Sequence, residues 1–264
     1  MAVTKTALCI GINDYPGTGN DLAGCVNDAR DWADALTERF FETEIMLDAQ
    51  ATGDAIRDGI RRKLGGAATG DVVVITYSGH GTWVPDDDGD EPDHRDEALC
   101  PFDIFTAGPL LDDELYDLFS ERERGVRVVL ISDSCHSGSV NQLAPSLHPD
   151  AGRVRFLPPS AFLSPDRARV AARMPRIAAT GRPRYASLLM SGCQDLEYSY
   201  DAHFGDRPNG AFTYVAVDTL RELKSEATYA EWMADIAKRL PSQDYPQTPG
   251  LSGSRAQRKW TALS

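Results

Sequence analysis

The chain of 264 residues has little cysteine, no long apolar run and no excess of positive charge. Its five cysteines form an odd set without metal-type CxxC spacing, which favours a reduced, cytoplasmic protein over a disulfide scaffold. No apolar run approaches the roughly 18 residues that span a bilayer, and the N-terminal run is too short for a signal-peptide core. The net charge of −13 argues against nucleic-acid binding. We therefore expect neither a membrane nor a nucleic acid as partner.

The charge is unevenly distributed along the chain. Residues 151–186 hold eight Arg, no Lys and one acid, which gives +7 and leaves −20 for the rest. Residues 141–184 are rich in Pro, Arg, Ala and Ser, and a connection of this length is usually functional or disordered. We predict a single domain over residues 1–264, with a larger part at 1–140, a basic linker at 141–184 and a smaller part at 185–264.

Alternating strand and helix patterns predict an α/β fold. The runs at 72–76 and 128–132 are apolar and β-branched without alternation, as in parallel strands buried on both faces. The predicted strands lie near 6–12, 45–47, 72–77, 126–131, 186–191 and 247–251, and the predicted helices near 24–40, 54–64, 112–122, 210–223 and 229–240. This order predicts a mainly parallel central sheet of about six strands with helices on both faces.

Two short strings follow the two buried strands: Tyr77-Ser78-Gly79-His80-Gly81 and Asp133-Ser134-Cys135-His136-Ser137-Gly138. Active sites of open α/β sheets lie at the carboxyl ends of the strands, where both strings fall. A thiol with a pKa near 8.5 needs a base to attack at neutral pH, and an imidazole supplies one. The pair therefore indicates a thiol peptidase, although a buried Cys is often only core filler.

The second string offers two bases for Cys135, the distant His80 and the adjacent His136. Adjacent residues at a strand end tend to point apart, so His80 is the better candidate. Gly81 permits close approach of a substrate backbone. The N–H groups of Cys135 and Gly81 are candidate donors to the oxyanion that develops during acyl transfer.

The two strings resemble those of the metacaspases and orthocaspases, the caspase-like cysteine peptidases of family C14 in clan CD. Supporting similarity lies in Gly11-Ile12-Asn13-x-Tyr15, Leu22-x-Gly24-Cys25-x-Asn27-Asp28, Ser191-Gly192-Cys193-x-Asp195, Asn209-Gly210-Ala211-Phe212-Thr213 and Pro246-Gln247-Thr248-Pro249. The resemblance implies the caspase-hemoglobinase fold, a catalytic dyad of His80 and Cys135, and hydrolysis of peptide bonds.

The resemblance also implies a specificity. Caspases have Gln two residues before the nucleophile and hold a substrate Asp with Arg, whereas this chain has Asp133 there. In metacaspases the residues matching Asp28, Ser78 and Asp133 line an acidic S1 pocket, and carboxylates pair well with Arg. Cleavage after Arg or Lys is expected. Alternatively, Asp28 is a first-turn acid of a helix, and Asp133 bonds to the loop after its strand.

Residues 84–97 are interpreted as an acidic loop, and its spacing does not match an EF-hand. In many metacaspases, acids at the positions of Asp96, Asp112 and Asp113 hold an activating calcium ion. The fourth position of that site is Gln142 here, so one charge is lost. Calcium is thus a possible activator that the chemistry itself does not require. A solvated acidic loop is the alternative.

The basic linker has the position of the family's inter-subunit segment, which the resemblance implies as a site of self-cleavage. Its Arg residues make it a possible processing segment, and its charge could also occupy the acidic cleft before activation. A solvated basic loop is the alternative. The remaining cysteines are interpreted as structural, with Cys9 in the first strand, Cys193 at a strand end and Cys25 near the pocket.

The expected partners are protein or peptide substrates with Arg or Lys at P1, and the family implies a monomer. A rival hypothesis from another class is a catalytically silent caspase-like scaffold or signalling module. A narrower rival is a clan relative that cuts after a different residue, such as Asn.

Overall fold

The computed structural model describes residues 3–17, 19–86, 94–135, 153–174, 185–194 and 197–264. The strands in these residues are β1 (Lys5–Gly11), β2 (Glu42–Leu47), β3 (Val72–Ser78), β4 (Gly81–Pro85), β5 (Arg95–Leu99), β6 (Leu110–Leu111), β7 (Arg127–Asp133), β8 (Arg153–Val154), β9 (Leu188–Ser191), β10 (Tyr200–Phe204), β11 (Arg207–Gly210) and β12 (Gly250–Ser252). The helices are α1 (Cys25–Thr37), α2 (Gly53–Gly65), α3 (Ile104–Ala107), α4 (Asp112–Ser120), α5 (Pro165–Ala171), α6 (Ala211–Glu222) and α7 (Tyr229–Ile236). None of these helices is both long and apolar enough to cross a bilayer.

The central sheet has six strands in the order β12-β9-β7-β3-β1-β2. All neighbouring pairs are parallel except β12, which runs antiparallel to β9. β3 is buried at every position. This agrees with the prediction, made from the apolar runs without alternation, that the central strands are buried on both faces. The predicted α/β architecture with a mainly parallel sheet of six strands is confirmed.

Alternate residues of the central strands enter two separate hydrophobic clusters, one on each face of the sheet. Val73 and Ile75 belong to the cluster that includes side chains of α2 and α4. Val72 and Val74 belong to the other, which includes side chains of α1, α6 and α7. Strand side chains alternate between faces, so helices must cover both sides, and the prediction of helices on both faces is confirmed.

The interpretation of residues 84–97 as one acidic loop is wrong at both ends. β4 and β5 form an antiparallel pair in which Val84 lies opposite Asp96, and both strands are buried throughout. The charged residues of β5 concealed this strand in the sequence, and the Arg95 guanidinium stacks 3.9 Å from the Trp83 ring centroid. Residues 87–93 lie outside the described part of the chain.

The basic linker contains two elements that its weak periodicity did not predict. α5 begins with Pro at its first position, where a proline needs no backbone hydrogen bond. β8 pairs antiparallel with β10, so that Val154 lies opposite Tyr200. This pairing brings the linker to the carboxyl ends of the central strands.

Candidate active site

His80 and Cys135 come to the same edge of the sheet through strand register. β3 and β7 are neighbours, and their last paired residues are Ser78 and Asp133. His80 and Cys135 each follow by two residues, so both lie just beyond the strand ends. A Cβ at Gly81 would clash with the Cys135 carbonyl, which explains glycine there. The side chains of His80 and Cys135 are buried.

The protonation state of His80 follows from its hydrogen bonds. Its Nε2 lies 2.6 Å from the Asn20 carbonyl oxygen, which can only accept, so Nε2 carries the proton and Nδ1 the free lone pair. Nδ1 is buried and has no hydrogen-bond partner among the described residues. Burial lowers the pKa of His80 to about 4, so the imidazole is neutral at neutral pH. This is the state of a general base.

Tyr15 fixes the backbone of His80. Its hydroxyl accepts a hydrogen bond of 2.9 Å from the His80 N–H and donates one of 3.2 Å to the Cys100 carbonyl. The rings of Tyr15 and His80 pack with centroids 4.8 Å apart. Tyr15 belongs to a sequence string that resembles the family's. Asn20 could not be recognised from the sequence, because it contributes only its backbone oxygen.

The sulfur of Cys135 lies among polar groups of the neighbouring strand ends. The Ser199 N–H donates to Cys135 Sγ. The thiol of Cys193, just after β9, donates to the same sulfur across 3.8 Å. The Cys135 thiol also lies 3.6 Å from the Ser199 carbonyl oxygen, so Ser199 contacts this sulfur with both its N–H and its carbonyl group.

Arg155 fills a pocket beside the two strings, which we call the acid pocket, formed by Asp28, Asp133 and Asp201. Its guanidinium is fully buried and lies 2.7 Å from Asp28, 3.2 Å from Asp133 and 3.0 Å from Asp201. The structure thus brings together the predicted Asp28 and Asp133. Asp201 was missed, because β10 carries no clear strand pattern in the sequence.

Neutral donors hold each carboxylate of the acid pocket in place. Asp28 accepts hydrogen bonds from Asn209 Nδ2 at 3.0 Å and Gly210 N at 2.9 Å. Asp133 accepts from Thr213 N at 2.9 Å, and Asp201 accepts from Ala23 N at 2.7 Å and Gly24 N at 2.9 Å. Burial, opposed by Arg155 and reinforced by the charge of Asp133, raises the pKa of Asp28 to about 6. The hydroxyl of the buried Ser78 has no hydrogen-bond partner in the described ranges.

The backbone around Arg155 is also bound. The carbonyl oxygen of Arg155 accepts from Gly81 N at 3.0 Å and from Cys135 N at 3.1 Å. The Arg155 N–H donates to Ser199 O at 3.0 Å, and Leu157 N donates to Gly81 O at 2.9 Å. Residues 153–157, which we call the cleft segment, therefore lie extended across the sheet edge. The two N–H groups predicted as oxyanion donors converge on one carbonyl oxygen.

The remaining predicted residues are spread over two elements or fall outside the structure. Asp96 is buried in β5, whereas Asp112 and Asp113 begin α4. Within the ranges given above, no three His, Cys, Asp or Glu side chains form a group that could hold a metal ion. His136 and Gln142 lie outside the described residues. The calcium site stays a prediction.

Comparisons with known proteins agree with this geometry. Residues 5–144 match the family model described as the metacaspase, peptidase C14 domain. Metacaspase-1 of Cryptococcus neoformans is 31% identical over 287 aligned residues, which cover 95% of this chain and 62% of that protein. Metacaspase-7 of Arabidopsis thaliana is 40% identical over 148 residues, or 52% of this chain and 36% of that protein.

A solved structure extends the likeness over the whole fold. The crystal structure of a protein from Geobacter sulfurreducens has 32% sequence identity and a TM-score of 0.76, and the match covers 99% of this chain and 98% of that one. The chain spans about 62% of the length of the fungal relative named above. The family model matches more than half of the chain, including both strings, and the chain belongs to the metacaspase family.

Proposed function

We propose that this chain is a cysteine endopeptidase that hydrolyses peptide bonds after Arg or Lys. The observation that carries the proposal is the position of Arg155. Its side chain contacts three carboxylates while its carbonyl oxygen accepts from the N–H groups of Gly81 and Cys135. This is how a P1 residue is held for attack in acyl transfer, with the side chain in a specificity pocket and the carbonyl polarised by two donors.

In the first half of the reaction, Cys135 attacks the carbonyl carbon of the P1 residue. The thiol proton passes to His80 Nδ1, and a bond forms between Sγ and carbon. The negative charge that develops on the oxygen is stabilised by the N–H groups of Gly81 and Cys135. The C–N bond then breaks, and His80 returns the proton to the leaving amine.

In the second half, water hydrolyses the thioester. His80 Nδ1 takes a proton from the attacking water, and the same two N–H groups stabilise the second oxyanion. The carbon–sulfur bond breaks, the acid product leaves, and the thiol of Cys135 is restored. The carbonyl of Asn20 keeps the imidazole oriented throughout, because it holds Nε2–H on the side away from the reaction.

The acid pocket supports a preference for Arg over Lys at P1. A guanidinium presents several N–H donors in one plane, and Arg155 reaches all three carboxylates at once. A Lys ammonium is a point charge that cannot span the pocket in the same way. An acidic P1 side chain would be repelled by the same carboxylates.

The cleft segment is, on this proposal, the chain's own first substrate. Val154 pairs with Tyr200, and Phe156 pairs with Gly81, so the Arg155–Phe156 bond lies between two anchored halves. Cleavage there would fall within the predicted processing linker, and the uncut segment would exclude other substrates from the cleft.

A peptide panel tests the peptidase proposal. Fluorogenic peptides with Arg, Lys, Asp or Asn at P1 are assayed with wild type and Cys135→Ala, with and without added calcium. We expect Arg to be cut fastest and Cys135→Ala to be inactive. Preference for Asp, or activity that survives the substitution, would refute the proposal. The calcium arm tests the predicted activator, through which no step of this mechanism passes.

Intact mass and N-terminal sequencing test self-processing. We expect a new N-terminus at Phe156 in wild type and Arg155→Lys, and none in Arg155→Gln or Cys135→Ala. Arg153→Gln is the matched control, since the Arg153 side chain donates to the exposed carbonyls of Gly19 and Asp21 and not to the acid pocket among the described contacts. Cleavage of Arg155→Gln at the same bond would contradict the assignment.

A further inference from the structure

Cys193 lies beside Cys135 at the ends of neighbouring parallel strands. Ser132 of β7 pairs with Ser191 of β9, and the two cysteines follow within three residues. Their sulfur atoms are 3.8 Å apart. Cys193 Sγ also lies 3.6 Å from the Ser134 carbonyl oxygen, so its side chain is directed at the residue before Cys135.

We propose that Cys135 and Cys193 form a disulfide on exposure to hydrogen peroxide and that this reversibly blocks the nucleophile. A disulfide needs an S–S distance of about 2.05 Å, so the sulfurs at 3.8 Å must approach by roughly 1.8 Å, which small side-chain rotations can supply. The covalent event depends on the two thiols alone. Its effect on hydrolysis rests on the proposed function.

The oxidation needs peroxide and nothing else. The Cys135 thiolate attacks peroxide, an S–O bond forms, the O–O bond breaks, and the departing hydroxide is protonated to water. Cys193 then gives up its proton and attacks the Cys135 sulfur. The S–S bond forms, the S–O bond breaks, and a second water leaves. Two thiols and one peroxide thus yield one disulfide and two waters.

The hydrogen bonds assign different roles to the two sulfurs. Cys135 Sγ accepts from the Ser199 N–H and from the Cys193 thiol, and on the proposed function Cys135 is the nucleophilic sulfur. Donation to Cys135, with burial, raises the pKa of Cys193, which keeps its proton until the sulfenic acid has formed. Cys135 is therefore oxidised first and Cys193 resolves it.

Position also favours this pair over further oxidation. A sulfenic acid next to a thiol condenses to a disulfide, whereas an isolated one proceeds to irreversible acids. Cys193 Sγ lies 3.8 Å from Cys135 Sγ, so it is in place to attack a sulfenic acid formed there. On this proposal, Cys193 has a role in addition to the structural one that the sequence suggests.

Peptide mapping under non-reducing conditions tests the proposal on the full chain. Peroxide-treated wild type should give one linked peptide containing Cys135 and Cys193, lighter by two hydrogen atoms and released by dithiothreitol. In Cys193→Ser, which keeps a donor beside Cys135, we expect no linked peptide and conversion of Cys135 to sulfinic and sulfonic acid. Cys9→Ala, in the distant β1, is the control and should behave as wild type.

The activity readout is kept separate from the covalent one. If wild type is a peptidase, peroxide should abolish at least nine-tenths of its activity, and dithiothreitol should restore it in wild type but not in Cys193→Ser. A wild type whose Cys135 reaches sulfinic acid without any link to Cys193 overturns the proposal. A linked peptide in a chain without peptidase activity leaves the disulfide standing and counts against the proposed function alone.

Discussion

The acid pocket and the His80–Cys135 pair are both buried at one edge of the sheet, but their polar atoms are satisfied very differently. Each carboxylate of the pocket accepts from neutral donors as well as from Arg155. His80, by contrast, has one ring nitrogen bonded to Asn20 and the other without a partner in the described residues.

On the proposed function, this difference separates the residues that bind the substrate from those that carry out the chemistry. Buried polar groups normally find partners, so an unsatisfied one in a site indicates a bond that forms only during function. On the proposed function, the neutral donors hold the three carboxylates in place, so that Arg155 has to leave but the carboxylates need not be rebuilt before an external substrate binds. On the proposed function, His80 Nδ1 keeps its capacity for a hydrogen bond that forms only along the reaction.

Removing one charge from the pocket should have the largest effect. In Asp133→Asn we expect kcat/KM for an Arg peptide to fall roughly 30- to 4,000-fold, since truncating a buried charge pair costs about 2–5 kcal/mol. Asp54→Asn is the matched control, because the Asp54 side chain is 94% exposed. An Asp133→Asn enzyme with wild-type kcat/KM would mean that substrate Arg does not use this pocket.

Removing a hydrogen bond from the His80 backbone tests the role of the His80–Cys135 pair. Tyr15→Phe removes the hydroxyl that accepts from the His80 N–H. We expect kcat to fall about tenfold with KM nearly unchanged, because misplacing the base affects the transition state alone. The free energy of unfolding should fall by ~1–3 kcal/mol, which is the cost of leaving a buried donor unsatisfied. Tyr116→Phe, at an exposed position, is the control.

A result in which KM rises while kcat holds would contradict this role for Tyr15. It would place the hydroxyl in substrate binding and weaken the separation between the two regions.

The sequence predicted the His80–Cys135 juxtaposition because parallel register preserves sequence offsets. Both residues stand two positions after paired strand residues, and both strands are long and strongly apolar. Asp28 and Asp133 came from the family resemblance, which supplied the pocket that spacing alone could not. The six strands of the central sheet and the main helices were predictable because their apolar residues follow clear patterns along the sequence.

What the sequence could not predict depends on short elements and backbone atoms. Asp201 lies in a five-residue strand with mixed polarity, and it meets Arg155 only through the pairing of β8 with β10. Nothing distinguishes Arg155 from the seven other Arg of its segment until its partners are placed. Asn20 contributes a carbonyl, which every residue has.

Gln247 contacts backbone near both regions, and its substitution should change kcat and KM less than the two substitutions above. Its side chain donates to the Gly192 carbonyl at 2.7 Å and accepts from Tyr200 N at 3.1 Å. Gln247→Glu cannot donate while ionised, so the bond to the Gly192 carbonyl, worth ~0.5–1.5 kcal/mol, and the longer contact of 3.4 Å to the Ser199 hydroxyl are lost. We expect kcat/KM to fall roughly 2- to 12-fold, divided between kcat and KM, in a steady-state assay. A change in KM alone would limit Gln247 to the pocket.

The smallest effect should come from pH, which acts on the two regions in different windows. Because the pKa of Asp28 is raised to about 6, this carboxyl takes up a proton as pH falls below 6 and the pocket loses a negative charge. The pKa of His80 is lowered to about 4, so the base stays neutral over the same range. We expect KM for an Arg peptide to rise about threefold from pH 7 to pH 5 while kcat stays flat, and Asp28→Asn to remove the change in KM. A kcat that falls with a midpoint near pH 6.5 would show instead that His80 has the pKa of a solvated imidazole. The pocket and the base would then both respond to pH in this range, and the contrast between them would fail.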